Sequence, residues 1–465
     1  MTKSQRFFQK QVIPWVLLIL TTNCLDVVAA GVIILNPKGE NKLTIVENTS
    51  TRLQILNTFS HFSILTRSTS MGNFAEMQAG SYSKTNMAGA PQLPVLGRLI
   101  EVPEGATTQV RVVSFKLTEY KLTDLGVFTK IYPAQPPQSK QSTGEKPLVI
   151  NQELYESNAF YGEPLARAEQ AGNMRGVQLA NFMIAPVQYN PVTNCIRVYD
   201  SLLVEVSFNQ VMKSKNVENL AGKASPYFEK AFNTLLNSNQ DKSLAVTAVP
   251  VKYVIVADPM FREALQPFVH WKTKRGFNVV QAYTGDPLVG NTTTSIKAYL
   301  KNLYTSATAS DPAPTFVLFV GDVEQVPTFR CLNHVSDLYY CEYTGDYLPE
   351  AFYGRFSAGT VAELLPQLNK TMQYEQCLAP DLSYLDNSVL AAGADATHQL
   401  RWGNSQVNYL TSCYFNAEHN ILAKTYLQPE PTNAGYAKKI KADLSQGVAF
   451  ACYSAHGDVA GWSNP

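Results

Sequence analysis

The chain has 465 residues, enough for two or three domains with full hydrophobic cores. Its 38 Lys and Arg against 37 Asp and Glu leave a formal net charge of +1, so no long-range field draws it to nucleic acid or an anionic membrane surface. Seven cysteines in a chain this long exclude a dense disulfide framework, and stability must come from burial.

At the amino terminus, Lys3, Arg6 and Lys10 precede the apolar run Val12 to Leu20, and Val28-Ala29-Ala30 follows as a small-residue site that a signal peptidase accepts. Residues 1–30 therefore read as an export signal. The apolar run falls well short of the roughly 20 residues that span a bilayer, so no transmembrane segment is expected. Cys24 follows Thr-Thr-Asn and makes a poor lipobox; it leaves with the signal.

From about Gly31 to Val211 apolar and polar positions alternate in short runs broken by Pro, Gly and Asn, the period of strands; a polar segment and a short helix-like stretch around Tyr227 to Leu236 complete a β-rich region over 31–236. Leu202, Val204, Val206 and Phe208 share one face, with Leu203, Glu205 and Ser207 on the other. A second strand is expected over Gly176 to Tyr189, and Asn190-Pro191-Val192-Thr193-Asn194 has hairpin-turn chemistry. The region is predicted to be an all-β unit, sandwich or barrel-like, with an exposed loop over Pro133 to Pro147. A linker is expected over 237–247.

From 248 to 465 apolar runs alternate with amphipathic stretches, the texture of an α/β domain with a mostly parallel sheet. The runs are Tyr253 to Ala257, Phe277 to Tyr283, Phe316 to Val320, Val389 to Ala394, Ile421 to Leu427 and Val448 to Ser454. Phe261, Ala264, Leu265, Phe268 and Val269 share one helix face, and Ile296, Leu300 and Leu303 another. Pro267 should kink or break the first of these helices, and Gly276 and Gly447 stand where helix C-caps belong.

Several runs end in Asp or His: Asp258, Asp322, Asp395 and His456. In a parallel sheet such ends emerge along one edge, where α/β folds place ligands. His456 there could cycle a proton near neutral pH, and Gly457 would let the backbone approach a bound carbonyl. The plainer alternative is a strand-end histidine bonded for structure. Asp395 could orient the imidazole, or simply cap the next helix. Cys452 is four residues from His456, about 13 Å along a strand, too far to serve as its nucleophile. Cys331, Cys341, Cys377 and Cys413 have no strand-end setting, and no two cysteines have metal-ligand spacing. Asp322 with Thr344-Gly345-Asp346-Tyr347-Leu348-Pro349-Glu350 offers oxygen donors suited to Ca²⁺, or is an acidic surface turn.

These stretches resemble the gingipains, secreted bacterial cysteine endopeptidases of the caspase-like group, and the lysine-specific branch most nearly. The carriers are Tyr453-Ser454-Ala455-His456-Gly457, Gly461-Trp462-Ser463-Asn464-Pro465, Ala392-Gly393-Ala394-Asp395, Asp337-Leu338-Tyr339-Tyr340 and Gly345 to Glu350. Met174-Arg175-Gly176-Val177, Pro186-Val187-Gln188-Tyr189 and Glu205-Val206-Ser207-Phe208 resemble the family's prosegment.

The resemblance implies a zymogen secreted to the extracellular space or cell surface, acting on peptide and protein substrates after a basic residue. Its catalytic histidine would be His456, the acidic partner Asp395, and Gly457 an oxyanion donor. Calcium would bind Asp322, Asp346, the Leu348 carbonyl and Glu350, with Thr344 replacing the family's aspartate. The prosegment would be an intramolecular inhibitor, with Lys242 a possible cleavage point. The nucleophilic cysteine is expected beyond Pro465, which makes the chain as it stands inactive. Two other readings stay open: a non-catalytic homologue acting as a surface or binding protein, and a calcium-binding β-rich adhesin.

Overall fold

A computed structural model describes residues 29–37, 39–136, 147–209, 221–238, 250–332, 334–394, 399–430, 435–458 and 461–462. The expected signal through Val28, the core of the loop expected over Pro133 to Pro147, Lys242, Asp395 and Ser463 to Pro465 lie outside them.

Three sheets with antiparallel ladders fill the first half. The strand Cys195–Asn209 lies between Arg52–Thr58 and Thr107–Lys121, and its alternation decides which face goes in. Leu202, Val204 and Val206 are fully buried in one apolar cluster with Leu53, Ile55, Phe182 and Tyr189. Opposite them, Glu205 is satisfied by Gln54 at 2.9 Å and Arg111 at 2.9 Å.

The single strand expected over Gly176 to Tyr189 is two. Pro186 has no N–H to continue a ladder, and the chain changes sheets there. Val177–Ile184 pairs with Pro94–Val102 and Ala166–Met174, whereas Val187–Asn190 forms the hairpin with Cys195. The turn itself follows its sequence: Asn190 Oδ1 accepts from Val192 N and Thr193 N, and Asn194 takes a left-handed φ of 53°. The half is not purely β. A short helix, Gln152–Glu156, starts where the Asn151 side chain accepts from Leu154 N at 3.1 Å.

Asn237, the first residue of the expected linker, is tied to the β half. The helix Pro226–Phe232 lays Tyr227 against Phe316 and Phe228 against Phe352, with ring centroids 4.8 and 4.2 Å apart. Leu236 N then donates to Leu99 O, and the Asn237 amide brackets Glu101, accepting from its N–H and donating to its carbonyl. Residues 221–238 thus clip the β half to the α/β half.

All six apolar runs of the second half are strands, in two parallel sheets rather than one. The first has the order Asn278–Tyr283, Lys252–Ala257, Phe316–Val320, Phe352–Phe356. Helices Arg262–Lys274 and Val361–Glu375 cover one face with Phe261, Leu265, Phe268, Leu364 and Leu368; Thr293–Thr305 covers the other with Ile296 and Leu300. The helix Arg262–Lys274 runs through Pro267 instead of ending there. Gly276 and Gly447 close their helices with φ of 89° and 97°, a left-handed conformation that suits glycine.

The second sheet has the order Leu422–Tyr426, Asn387–Ala392, Phe450–Ser454. Asn387–Ala392 is buried on both faces: Val389 and Ala391 pack with Ile440, and Leu390 and Ala392 with Val407. No helix among the described residues is long and apolar enough to cross a membrane.

Candidate catalytic edge and acidic loop

Asn387–Ala392 and Phe450–Ser454 run parallel in register, Ala392 opposite Ser454, and Gly393 N approaches Ser454 O at 3.4 Å. The backbone leading to Asp395 and that leading to His456 therefore leave the same edge. Asp395 itself lies outside the described residues. His456 is half-buried, and the backbone turns after it into the antiparallel pair Gly457–Asp458 and Gly461–Trp462. The Trp462 indole returns onto Tyr453, with centroids 4.6 Å apart and planes 10° from parallel.

Small residues let this edge form. A Cβ on Gly393 would sit 2.3 Å from Tyr453 Oη and 2.4 Å from Ala455 Cβ, so a side chain there would push the two strand ends apart. At Gly457 an added Cβ meets nothing within 4 Å, leaving open space beside the backbone. Buried Gln428 donates to the Ala392 carbonyl at 3.1 Å and is itself clasped by Asn404, finishing the strand end.

Cys452 stands opposite Leu390 and packs, half-buried, against the cluster around Val407 rather than within it. Cys341 is fully buried, and burial pushes its thiol pKa up, away from the thiolate that attacks carbonyls.

The acidic loop lies elsewhere. Glu350 is fully buried, with Oε2 accepting from Tyr343 N at 2.9 Å and Oε1 facing Thr344 Oγ1 at 3.1 Å. Thr344 Oγ1 also lies 2.8 Å from Asp346 Oδ2, and Glu342 accepts from the Gly345 and Asp346 amides. Burial, reinforced by the Asp346 and Glu342 charges, pushes the Glu350 carboxyl up to about 7, against the opposing hydrogen bonds from Tyr343 and Thr344.

Asp322 does not belong to this cluster. It follows the carboxyl end of Phe316–Val320, where its N–H donates to Ala358 O at 3.0 Å. Glu350 precedes Phe352, which stands opposite Phe316 at the amino end. A five-residue ladder, about 16 Å long, separates them, against the roughly 2.5 Å of a calcium–oxygen contact. The expected four-ligand set is therefore corrected: Asp322 cannot share an ion with Asp346, Leu348 and Glu350. Among the described residues no three His, Cys, Asp or Glu side chains converge as a metal site. The remaining oxygens suit a hard cation chemically, but Thr344 and the Asn173 amide, 2.6 Å from Asp346 Oδ2, already donate to them.

Residues 36–230 match the family model Propeptide_C25, and residues 247–465 match the model for Peptidase family C25. The chain belongs to peptidase family C25. Lys-gingipain of Porphyromonas gingivalis is 34% identical over 428 residues, 91% of this chain and 24% of that protein. Gingipain R2 of the same species is 26% identical over 396 residues, 80% of this chain and 50% of that protein. This C25 chain therefore spans about a quarter to a half of the length of these relatives. A solved chain described as "Structural insight into zymogenic latency of gingipain K from Porphyromonas gingivalis" aligns at 33% identity and a TM-score of 0.36, over 38% of this chain and 98% of that one.

Two features of this C25 chain escape sequence reasoning. Arg355 is bidentate to Asp337 at 2.8 and 2.7 Å and also donates to Gly321 O and Val326 O, fixing the turn at the carboxyl end of Phe316–Val320. Arg175 is buried between the two halves, a partnership that only the tertiary fold creates.

Proposed function

We propose that the whole protein is a secreted cysteine endopeptidase, made as a latent zymogen and cutting after a basic residue. The observation that carries this reading is the parallel pairing of Asn387–Ala392 with Phe450–Ser454 inside the span matched by the peptidase family. That pairing brings two chain segments to one edge, one carrying His456 and the other leading to Asp395.

In this mechanism a cysteine supplied beyond Pro465 attacks the scissile carbonyl as a thiolate. His456 takes the thiol proton and passes it to the leaving amine. Asp395 holds the imidazole in the productive tautomer, and the Gly457 N–H donates to the oxyanion. Residues 31–236 form a sandwich- or barrel-like prosegment that covers the catalytic edge until the linker is cut, Lys242 being one place for that cut.

Calcium is assigned a structural role at Asp346, the Leu348 carbonyl and Glu350. Its support is a short loop that sets the Asp346 carboxylate near the buried Glu350 carboxyl through their shared neighbour Thr344. The ion would neutralise the two carboxylates together.

The test uses the protein as secreted and processed, assayed on peptides with Lys or Arg before the scissile bond. Cleavage that iodoacetamide abolishes is the expected result. Silence of correctly processed, calcium-supplied protein, or cleavage indifferent to alkylation, would overturn the reading.

A further inference from the structure

The strand that delivers His456 carries an aromatic pair at its carboxyl end. Phe450–Ser454 places Tyr453 three residues before His456. After His456 the chain folds back as two short strands, with Gly457 opposite Trp462 and Asp458 opposite Gly461. That return sets the Trp462 indole flat on the Tyr453 ring, centroids 4.6 Å apart and planes 10° from parallel.

This small ribbon has little of its own to hold it. It pairs with no other strand among the described residues, and an isolated two-stranded ribbon is marginal in water. Two of its four strand residues are glycines, whose backbones lose the most freedom on being ordered. A Cβ placed on Gly457 would meet nothing within 4 Å, so no packing on that side fixes its backbone. The stack of Trp462 on Tyr453 is what commits the ribbon to one direction, since offset aromatic faces attract beyond the area they cover. Trp462 stays 38% exposed, so the pair contributes orientation more than buried area.

Tyr453 is held in turn. Its ring packs against the cluster of Val389, Ala391, Tyr426 and Ile440. Its phenol end lies against Gly393, two residues before Asp395: a Cβ there would fall 2.3 Å from Tyr453 Oη and 2.9 Å from its Cζ. Next along the strand, Ser454 Oγ donates to Gln406 Oε1, which ties the strand end a second time. One ring thus touches the segment that leads to Asp395 and, through Trp462, the backbone that starts at Gly457.

We propose that Tyr453 and Trp462 are positioning residues: their stack sets the Gly457 backbone where its N–H meets the oxyanion, and the Tyr453 phenol spaces the strand end that leads to Asp395. This rests on the peptidase reading given above. Neither side chain touches the reacting atoms. Acting through Gly457, the stack matters when the scissile carbonyl oxygen becomes charged, and little when substrate binds.

The processed, full-length protein and a Lys or Arg peptide test this. Trp462→Ala lowers kcat about 30-fold, leaves KM within about threefold and leaves the thermal midpoint unchanged. Trp462→Phe, which can still stack, restores kcat to within about threefold of wild type. Tyr453→Leu, apolar but without a ring face, loses kcat as Trp462→Ala does, and the double variant loses no more than either alone, because the pair acts as a unit. Should Tyr453→Leu fail to fold, Trp462→Ala and its rescue by Trp462→Phe decide the matter. Phe450→Ala, which removes a stack on Phe415 at the amino end of the same strand, keeps kcat. Amide hydrogen exchange over residues 455–462, followed by mass spectrometry, speeds up about tenfold in Trp462→Ala and not in Trp462→Phe.

Trp462→Ala with wild-type kcat, or with kcat kept and KM raised, would overturn the proposal, as would losses that add in the double variant. The exchange measurement needs no turnover. A wild type that cleaves nothing while its exchange responds to Trp462→Ala overturns the peptidase reading alone, and unaltered exchange in an active protein overturns the stack's role alone.

Discussion

His456 and Glu205 show how far a single residue can be read. The position of His456 is legible because an apolar run, Val448 to Ser454, ends in it, and runs of that kind become parallel strands. The strand that leads toward Asp395, Asn387–Ala392, is legible in the same way. Glu205 reads as an outward position on its strand, yet it is 7% exposed because Gln54 and Arg111 close over it. The Gln54 hydrogen bond first, then that from Arg111, holds its pKa below the ordinary 4.5. A depressed carboxyl adds stability that is complete above 4.5 and is lost as pH falls through its folded value. In urea titrations of the full chain, acidification below 4.5 should lower the wild-type midpoint more than that of Glu205→Gln; equal acid sensitivity would show that Glu205 contributes nothing to it. Arg175 lies at the other extreme. Its stretch Met174-Arg175-Gly176-Val177 is visible as a prosegment likeness, but its burial depends on Pro314 and Glu350, far along the chain.

Elements were legible where one periodicity ruled. Leu202 to Phe208 alternate and are buried accordingly, and Ile296 and Leu300 lie one helical turn apart and both vanish into the sheet. Leu300→Ala should cost about 2–5 kcal/mol in chemical denaturation, since it removes buried methyl groups and leaves a cavity; a loss below about 1 kcal/mol would mean the helix does not seal that face. Phe352–Phe356 is hard to see in the sequence because Phe-Tyr-Gly-Arg-Phe mixes exposed aromatics with an arginine committed to Asp337, as befits an edge strand. The break at Pro186 and the anchoring of Leu236 and Asn237 are hidden for a different reason: both depend on which distant strand accepts the backbone.

For the whole molecule, composition and texture divide a β-rich half from an α/β half, and the family matches part between residues 230 and 247. The misplacement of Asp322 is instructive at this scale. Proximity in sequence to an acidic loop says nothing about which end of a parallel sheet a residue occupies, and here the two ends differ. Calcium at Asp346 and Glu350 should raise the thermal midpoint of the full chain above that in chelator, with Asp346→Asn abolishing the increment; identical midpoints in wild type would remove the ion from the loop.

The catalytic edge is tested most directly by His456→Ala in the processed, full-length protein, with kcat/KM measured on a Lys or Arg peptide and folding checked by thermal melt. An unchanged melt and a loss of about 100- to 10,000-fold, the scale of a missing proton-transfer group, are expected. A variant that keeps its melt and cleaves within a few-fold of wild type would contradict the role given to the imidazole.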